Sequence, residues 1–312
     1  MLVCGLCSLV GMPITMPVLA RLPMTATIGT MLGSSFTLEV FRQMGAWPVP
    51  LVGVVVYVST AGCLGYLYFR HVGKLNHPTA FFSGMPGGVV EMVTLGAERG
   101  GDERMISLIH GARIFLVVMS TPFIVEWLSG VPIARGAANW IPLSIVTPSS
   151  VGWFAICLAV GVLVGHLFRL PARYLLGPML VSALLHVFSV TDFKLPSAVI
   201  AVAQVVIGSS IGCRFAGVPA TLVVRVFALS IGATTILLTL SVGFSLVIAH
   251  LTGLNPEAIA VAYSPGGLPE MSLIALSLNV SVVFVVVHHL TRVLLVVAGS
   301  SAVFGILPRR GK

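Results

Sequence analysis

The chain has 312 residues, of which 57% are hydrophobic and only 8% charged, with a mean hydropathy of +1.07. Soluble domains carry about a quarter charged residues, so this composition excludes a water-soluble globule. The net charge of +8 comes from seventeen Lys and Arg scattered over short loops, which fits the positive-inside bias of membrane proteins and excludes nucleic acid as the partner.

In chain order, helices are expected over residues 1–19, 22–44 and 49–69. Residues 78–97 are apolar but interrupted at Pro86-Gly87-Gly88, and residues 105–127 form the next helix. Residues 128–150 read as a linker rich in Pro, Gly and Ser. Beyond it, helices are expected over 151–168, 174–190, 195–213 and 222–249. An interrupted segment at 256–278 is broken at Ser264-Pro265-Gly266-Gly267, and a last helix covers 280–307. Several of these runs reach the ~20 apolar residues that cross a bilayer core. The thirty-three glycines and nineteen prolines argue against uninterrupted spans, because breakers survive in lipid where neighbouring helices or a cavity satisfy the freed backbone groups. The first residues carry no basic stretch or small-residue cleavage site, so no signal peptide is expected. Cys4 and Cys7 form a C-x-x-C without a second ligand pair and read as ordinary helix residues.

One polar motif occurs twice. Pro86-Gly87-Gly88-Val89-Val90-Glu91-Met92 returns as Pro265-Gly266-Gly267-Leu268-Pro269-Glu270-Met271, an offset of 179 (265 − 86). The same offset, without a gap, carries His110 onto His289, Arg113 onto Arg292, and Leu116-Val117-Val118 onto Leu295-Val296-Val297. Gly33-Ser34-Ser35 also echoes Gly208-Ser209-Ser210, at an offset of 175 (208 − 33), and reads as a close helix-packing surface. The chain therefore divides into a first membrane repeat (residues 1–127), a linker (128–150) and a second repeat (151–312). The first repeat lacks a counterpart of 151–168: either the start is assigned too far downstream and one further apolar span is encoded upstream, or the chain is truncated relative to a symmetric ancestor.

Charge decides between topologies. If each interrupted segment dips in and out on one side, each full repeat crosses five times and the two repeats are inverted. Twelve of the seventeen basic residues then fall inside: Arg21, Arg70, Lys74, Arg99, Arg104, Arg169, Arg173, Arg214, Arg225, Arg309, Arg310 and Lys312. Only Arg42, Arg135 and Lys194 fall outside, and Arg113 and Arg292 lie within spans. The expected fold is thus an all-α polytopic membrane protein of two inverted repeats, each with a broken or re-entrant P-G-G helix.

The candidate site is Pro86, Gly87, Gly88, Glu91, His110 and Arg113 with Pro265, Gly266, Gly267, Glu270, His289 and Arg292. Glycine lets the chain turn and lets a ligand approach the backbone. The half-helix after each break points its positive end at the break. An arginine at mid-span costs at least ~2.5–3.5 kcal/mol on insertion scales, so it requires a partner, and the glutamate of the same or the opposite repeat is the nearest candidate. Such a site suits a small anion or a proton-coupled solute. The competing reading makes the residues structural, with Glu–Arg pairs locking the broken helix to its neighbour and the histidines satisfied by carbonyls. Neither H-x-x-H nor E-x-x-H occurs, and an arginine three residues from each histidine repels a cation, so neither metal nor any other cofactor is expected.

These residues resemble the AbrB-type integral membrane proteins (the AbrB duplication family), which are unrelated to the soluble transition-state regulator of the same name. The resemblance rests on the doubled P-G-G-x-x-E-M, the downstream H-x-x-R, and Leu175-Leu176-Gly177-Pro178-Met179 followed by the G-S-S helix, and it covers nearly the whole chain. Members carry labels of two kinds, ammonia monooxygenase and regulation of gene expression. The resemblance therefore implies, as alternatives, a membrane oxidoreductase or a regulatory membrane component. The residues themselves show no copper or iron ligand set, no catalytic residue and no helix-turn-helix. They favour a secondary transporter with a small solute or ion as substrate and the lipid bilayer as surroundings. A homodimer is compatible with the sequence. The expected location is a bacterial inner (plasma) membrane with the C-terminus in the cytoplasm. Reporter fusions should place residues 169–173 and the C-terminal tail inside and residues 129–150 outside; a tail on the outer side would contradict the re-entrant arrangement.

Overall fold

A computed structural model describes residues 2–9, 12, 14–130, 141–170, 172–278 and 280–306; Arg135, Arg309, Arg310 and Lys312, used above to weigh topology, lie outside them. Among the described residues the regular elements are all helical. In order they are α1 (Leu2–Leu9), α2 (Val18–Gly33), α3 (Leu38–Gln43), α4 (Pro48–His71), α5 (His77–Gly84), α6 (Val89–Glu98), α7 (Glu103–Ser129), α8 (Pro148–Leu167), α9 (Arg173–Val187), α10 (Ser197–Gly212), α11 (Ala220–Thr252), α12 (Pro256–Tyr263), α13 (Leu268–Ser277) and α14 (Val282–Ile306). Among the described residues six helices are long and apolar enough to cross a bilayer, so the chain is a multi-pass membrane protein.

The helices form two compact units, and each draws on both halves of the sequence. One is Met1–Gly45 with Pro132–Gly217; the other is Ala46–Val131 with Val218–Lys312.

In the first unit, glycines set the helix spacing. A side chain at Gly29 would strike the Leu175 carbonyl, and one at Gly33 would strike the Met179 carbonyl and Ser182, so α2 lies directly against α9. The Ser182 hydroxyl donates to Thr30 O at 2.8 Å across this contact. On its other side, α9 meets α8 through Gly177, Gly161 and Gly165, again with no room for a Cβ. Small residues permit such close approach where lipid supplies no hydrophobic drive between helices.

The helices expected over 1–19 and 22–44 are corrected here. The first stops at Leu9. The second starts at Val18, after Pro17 as N-cap, and ends at Gly33. Proline lacks the N–H and fixes φ, so a helix begins at it more readily than it runs through it. The G-S-S echo is corrected with them. The bounds of α10 lie 179 beyond those of α2 (197 − 18 and 212 − 33). The N-caps Pro17 and Pro196 match in backbone angles, φ −59° and ψ 136° against φ −58° and ψ 141°. The true counterparts are thus Ile28-Gly29, Gly33 and Phe36 with Ile207-Gly208, Gly212 and Phe215, in the same register as the polar motif.

In the second unit the repeat is equally regular. The bounds of α12 and α13 lie 179 beyond those of α5 and α6 (256 − 77 and 268 − 89). Gly53, early in α4, abuts Ile248, late in α11. Gly232, early in α11, abuts Tyr68, late in α4, so these two helices run in opposite directions. The interrupted segment of the first half doubles back on itself. Beside the start of α5, Thr79 Oγ1 accepts from the backbone N–H of Asp102, which follows α6, at 2.9 Å. The chain therefore leaves the α5–α6 hairpin at the end where it entered. Gly65 and Gly84 touch backbone to backbone, which seats α5 tightly on α4.

Basic residues gather at that same end. Arg70 donates to Leu75 O at 2.9 Å and Arg225 to Gly73 O at 3.3 Å. Lys74 and Arg104 flank the hairpin, and Arg99 lies over the Phe304 ring at 5.5 Å. Phe304 also stacks on His77 at 4.9 Å, so α14 finishes at this end too. Gly177→Ala should lower the stability of the purified protein by about 1–3 kcal/mol through overpacking against α8. Gly243→Ala, where nothing lies within 4 Å, should be neutral or slightly stabilising. Thermal unfolding in detergent compares the two.

Candidate functional site: a doubled helix break

Each residue of the repeated motif has a local reason. Before Pro86 and Pro265 the chain leaves the helix, with Met85 at φ −66° and ψ 132° and Ser264 at φ −53° and ψ 135°, the extended conformation that a following proline imposes. Gly88 and Gly267 then act as N-caps of α6 and α13. At both caps the carboxylate of Glu91 or Glu270 curls back from the third helical position into the space a Cβ would take. A carboxylate in the first turn complements the positive end of the half-helix. Met92 and Met271 fold over Gly87 and Gly266, leaving no space for a side chain there.

The second motif, H-x-x-R, serves the opposite dipole end. His110 Nε2 donates to Phe82 O at 2.9 Å. Arg113 Nη1 donates to Met85 O at 2.9 Å, and its Nη2 to Gly87 O at 3.3 Å. In the second copy, His289 Nε2 donates to Val261 O at 3.1 Å, and Arg292 donates to Ser264 O and, at 2.7 Å, to Gly266 O. Each arginine thus bridges the two carbonyls on either side of the break proline, while each histidine takes a carbonyl from the last turn before it. These are the acceptors that a broken helix loses, and cations are favourable at a helix C-terminus. The expected Glu–Arg pairing is corrected accordingly: the terminal N–H groups of both arginines go to backbone carbonyls. A carbonyl only accepts, so His110 carries its proton on Nε2. Its Nδ1 then accepts from Arg113 Nη2 at 2.9 Å.

All twelve residues named from the sequence lie in the second unit. His110, Arg113, His289 and Arg292 are buried, with Arg113 only 3% and Arg292 only 2% exposed. Gly87 packs on Val296 of α14, so the first break touches the last helix of the other repeat. The fixed guanidinium groups are not saturated: Nε of Arg113, Nε of Arg292 and Nδ1 of His289 are buried without a hydrogen-bond partner.

Sequence reasoning missed Tyr57. It is fully buried on α4 with its hydroxyl unpartnered, and its ring lies 5.3 Å from that of Tyr263, the residue before Ser264. The repeat gave no signal, because the position 179 residues later is Ile236. His288 joins the same aromatic cluster, its ring 6.3 Å from that of Tyr263, which in turn meets Tyr57. Its Nδ1 donates to Phe284 O at 2.7 Å in its own helix, and its ring meets Phe284 at 4.0 Å and Trp47 at 6.2 Å.

With this geometry in hand, known proteins give the kinship. A family profile described as "Transition state regulatory protein AbrB" matches residues 1–307. The chain belongs to the AbrB family. Among relatives, the AbrB-family chain is similar to "Uncharacterized protein YhjN" of Bacillus subtilis, at 29% identity over 87% of this chain and 74% of that protein. It is also similar to "Putative regulator AbrB" of Escherichia coli, at 24% identity over 91% of this chain and 82% of that protein. No solved structure matches it.

Arg292→Lys in the AbrB-family chain should cost about 1–3 kcal/mol, because one ammonium cannot reproduce the two-pronged grip and leaves a buried carbonyl unmet. Glu270→Gln should change stability far less. Thermal unfolding of the two purified variants checks the contrast.

Proposed function

We propose that this AbrB-family protein is a secondary transporter that binds a small anionic or proton-coupled solute at the doubled helix break. The observation that carries this reading is the pair of orphaned Nε–H donors. Leaving a buried donor unmet costs about 1–3 kcal/mol, and more when it is charged. Arg113 and Arg292 each do so beside backbone that is already broken. A purely structural clamp has no use for the unmet donor, whereas an anion supplies its acceptor.

The architecture supports the same reading. Equal hydrogen bonds at a constant displacement, together with the antiparallel course of α4 and α11, favour an inverted relation between the repeats, and broken helices in paired positions are where inverted-repeat transporters hold their solutes. The clustering of Arg70, Lys74, Arg99, Arg104 and Arg225 at the end where α14 finishes favours that end, and with it the C-terminal tail, as cytoplasmic. The membrane that fits is a bacterial plasma membrane. The name of the Escherichia coli relative is compatible with transport, since a carrier that sets the internal level of a solute alters gene expression without touching nucleic acid.

Proteoliposomes carrying the protein should accumulate one or more labelled small carboxylates in response to a pH gradient, and Glu270→Gln should abolish the uptake or its dependence on pH. If uptake by wild type never exceeds that of empty liposomes for any anion, the transport reading fails.

A further inference from the structure

Tyr57 breaks the two-fold character of the site. The glutamate, histidine and arginine of each break have counterparts 179 residues away, whereas Tyr57 is matched by the aliphatic Ile236. Its ring is fixed from two sides, meeting Phe244 edge-on at 5.7 Å and Tyr263 at 5.3 Å. The two tyrosines differ in what their hydroxyls do. Tyr263 donates to Pro50 O, while the Tyr57 hydroxyl is buried without a partner. An unmet phenol at 0% exposure is a cost to the fold, and tyrosine is a poor choice for that position unless the hydroxyl is used, since phenylalanine would keep both ring contacts.

Tyr263 immediately precedes Ser264, whose carbonyl Arg292 holds, and Gly62, five residues along α4 from Tyr57, abuts Met85, whose carbonyl Arg113 holds; each of these guanidinium groups has an Nε–H without a partner. The buried groups without a partner here thus include three donors, two cationic and one neutral. An ionised carboxylate accepts at two oxygens with about four lone-pair sites and matches three single donors. A phosphate dianion brings two further oxygens and a second charge to desolvate, and a protonated amine brings no acceptor.

Resting on the transport reading above, we infer that Tyr57 is a substrate-binding and orienting residue, donating its hydroxyl to a small carboxylate that also accepts from Nε of Arg113 and Nε of Arg292. Because the phenol is present once, the carboxylate binds off the axis relating the two breaks and takes one orientation there. The solute's remaining atoms then face one repeat and not the other.

The test uses the purified full chain in detergent, with acetate, succinate, inorganic phosphate and methylammonium as probes, read by thermal stabilisation and by titration calorimetry. Wild type should bind acetate or succinate and neither phosphate nor methylammonium. Tyr57→Phe should weaken carboxylate binding roughly tenfold, the loss of about one hydrogen bond to a charged acceptor. Without ligand, Tyr57→Phe should melt at the same temperature as wild type or higher, because it deletes an unmet polar group; a merely structural tyrosine would instead melt lower and leave affinity unchanged. Carboxylate binding that Tyr57→Phe leaves intact overturns the role of Tyr57 while the transport reading stands. Preference for phosphate or methylammonium overturns the carboxylate assignment. Absence of binding by all four probes overturns both this inference and the site on which it rests.

Discussion

The grip of a guanidinium group on two carbonyls across a proline is the constraint around which the second unit is organised. A helix that stops in the middle of an apolar unit exposes acceptors that neither lipid nor aliphatic side chains can satisfy. Arg113 and Arg292 meet them at Met85, Gly87, Ser264 and Gly266, and His110 and His289 add one carbonyl each. The spacing follows from this demand. Phe82 to His110 and Met85 to Arg113 are both 28 residues apart, as are Val261 to His289 and Ser264 to Arg292, so helix and half-helix advance side by side in one register. The cost of burying each arginine is offset by the carbonyls it rescues, and the hairpin cannot be held open at the break without it.

The same constraint explains which part of the architecture could be read from sequence. Proline, paired glycines, glutamate, histidine and arginine at one displacement are conspicuous in apolar sequence, and the break and the hairpin followed from them. The glutamates were misassigned as partners of the arginines because charge alone suggests pairing. Backbone acceptors are invisible in a sequence, yet they outcompete a carboxylate that already sits on its own helix cap. The first two helices were misplaced because uninterrupted hydropathy hides where Pro17 and Gly33 start and stop α2. The G-S-S echo misled for a related reason: identical letters at one spacing outweighed the subtler I-G, G and F pattern at the correct one.

Tyr57 was illegible for a different reason. A motif search by internal repetition finds what duplication preserved and is blind to what arose after it. A tyrosine in a run of valines carries no periodic signal, and its isolation is visible only when the ring is placed against Phe244 and Tyr263 with its hydroxyl left unmet. Departures from the repeat are therefore as informative as the repeat itself: duplicated residues hold the two breaks, and unduplicated ones such as Tyr57 and Ser264 make their surroundings differ.

The interleaving of the two units sets an order on biosynthesis. The unit holding both breaks takes Ala46–Val131 from early in the chain and Val218–Lys312 from its end, while the intervening Pro132–Gly217 belongs to the other unit. At typical translation rates that interval occupies on the order of ten seconds. Through it, the α5–α6 hairpin and Arg113 stand in the membrane with their own carbonyls as partners but without α11 and α14 to cover them. A self-contained clamp within each repeat, closing over 28 residues rather than across the repeats, is what lets the early half wait.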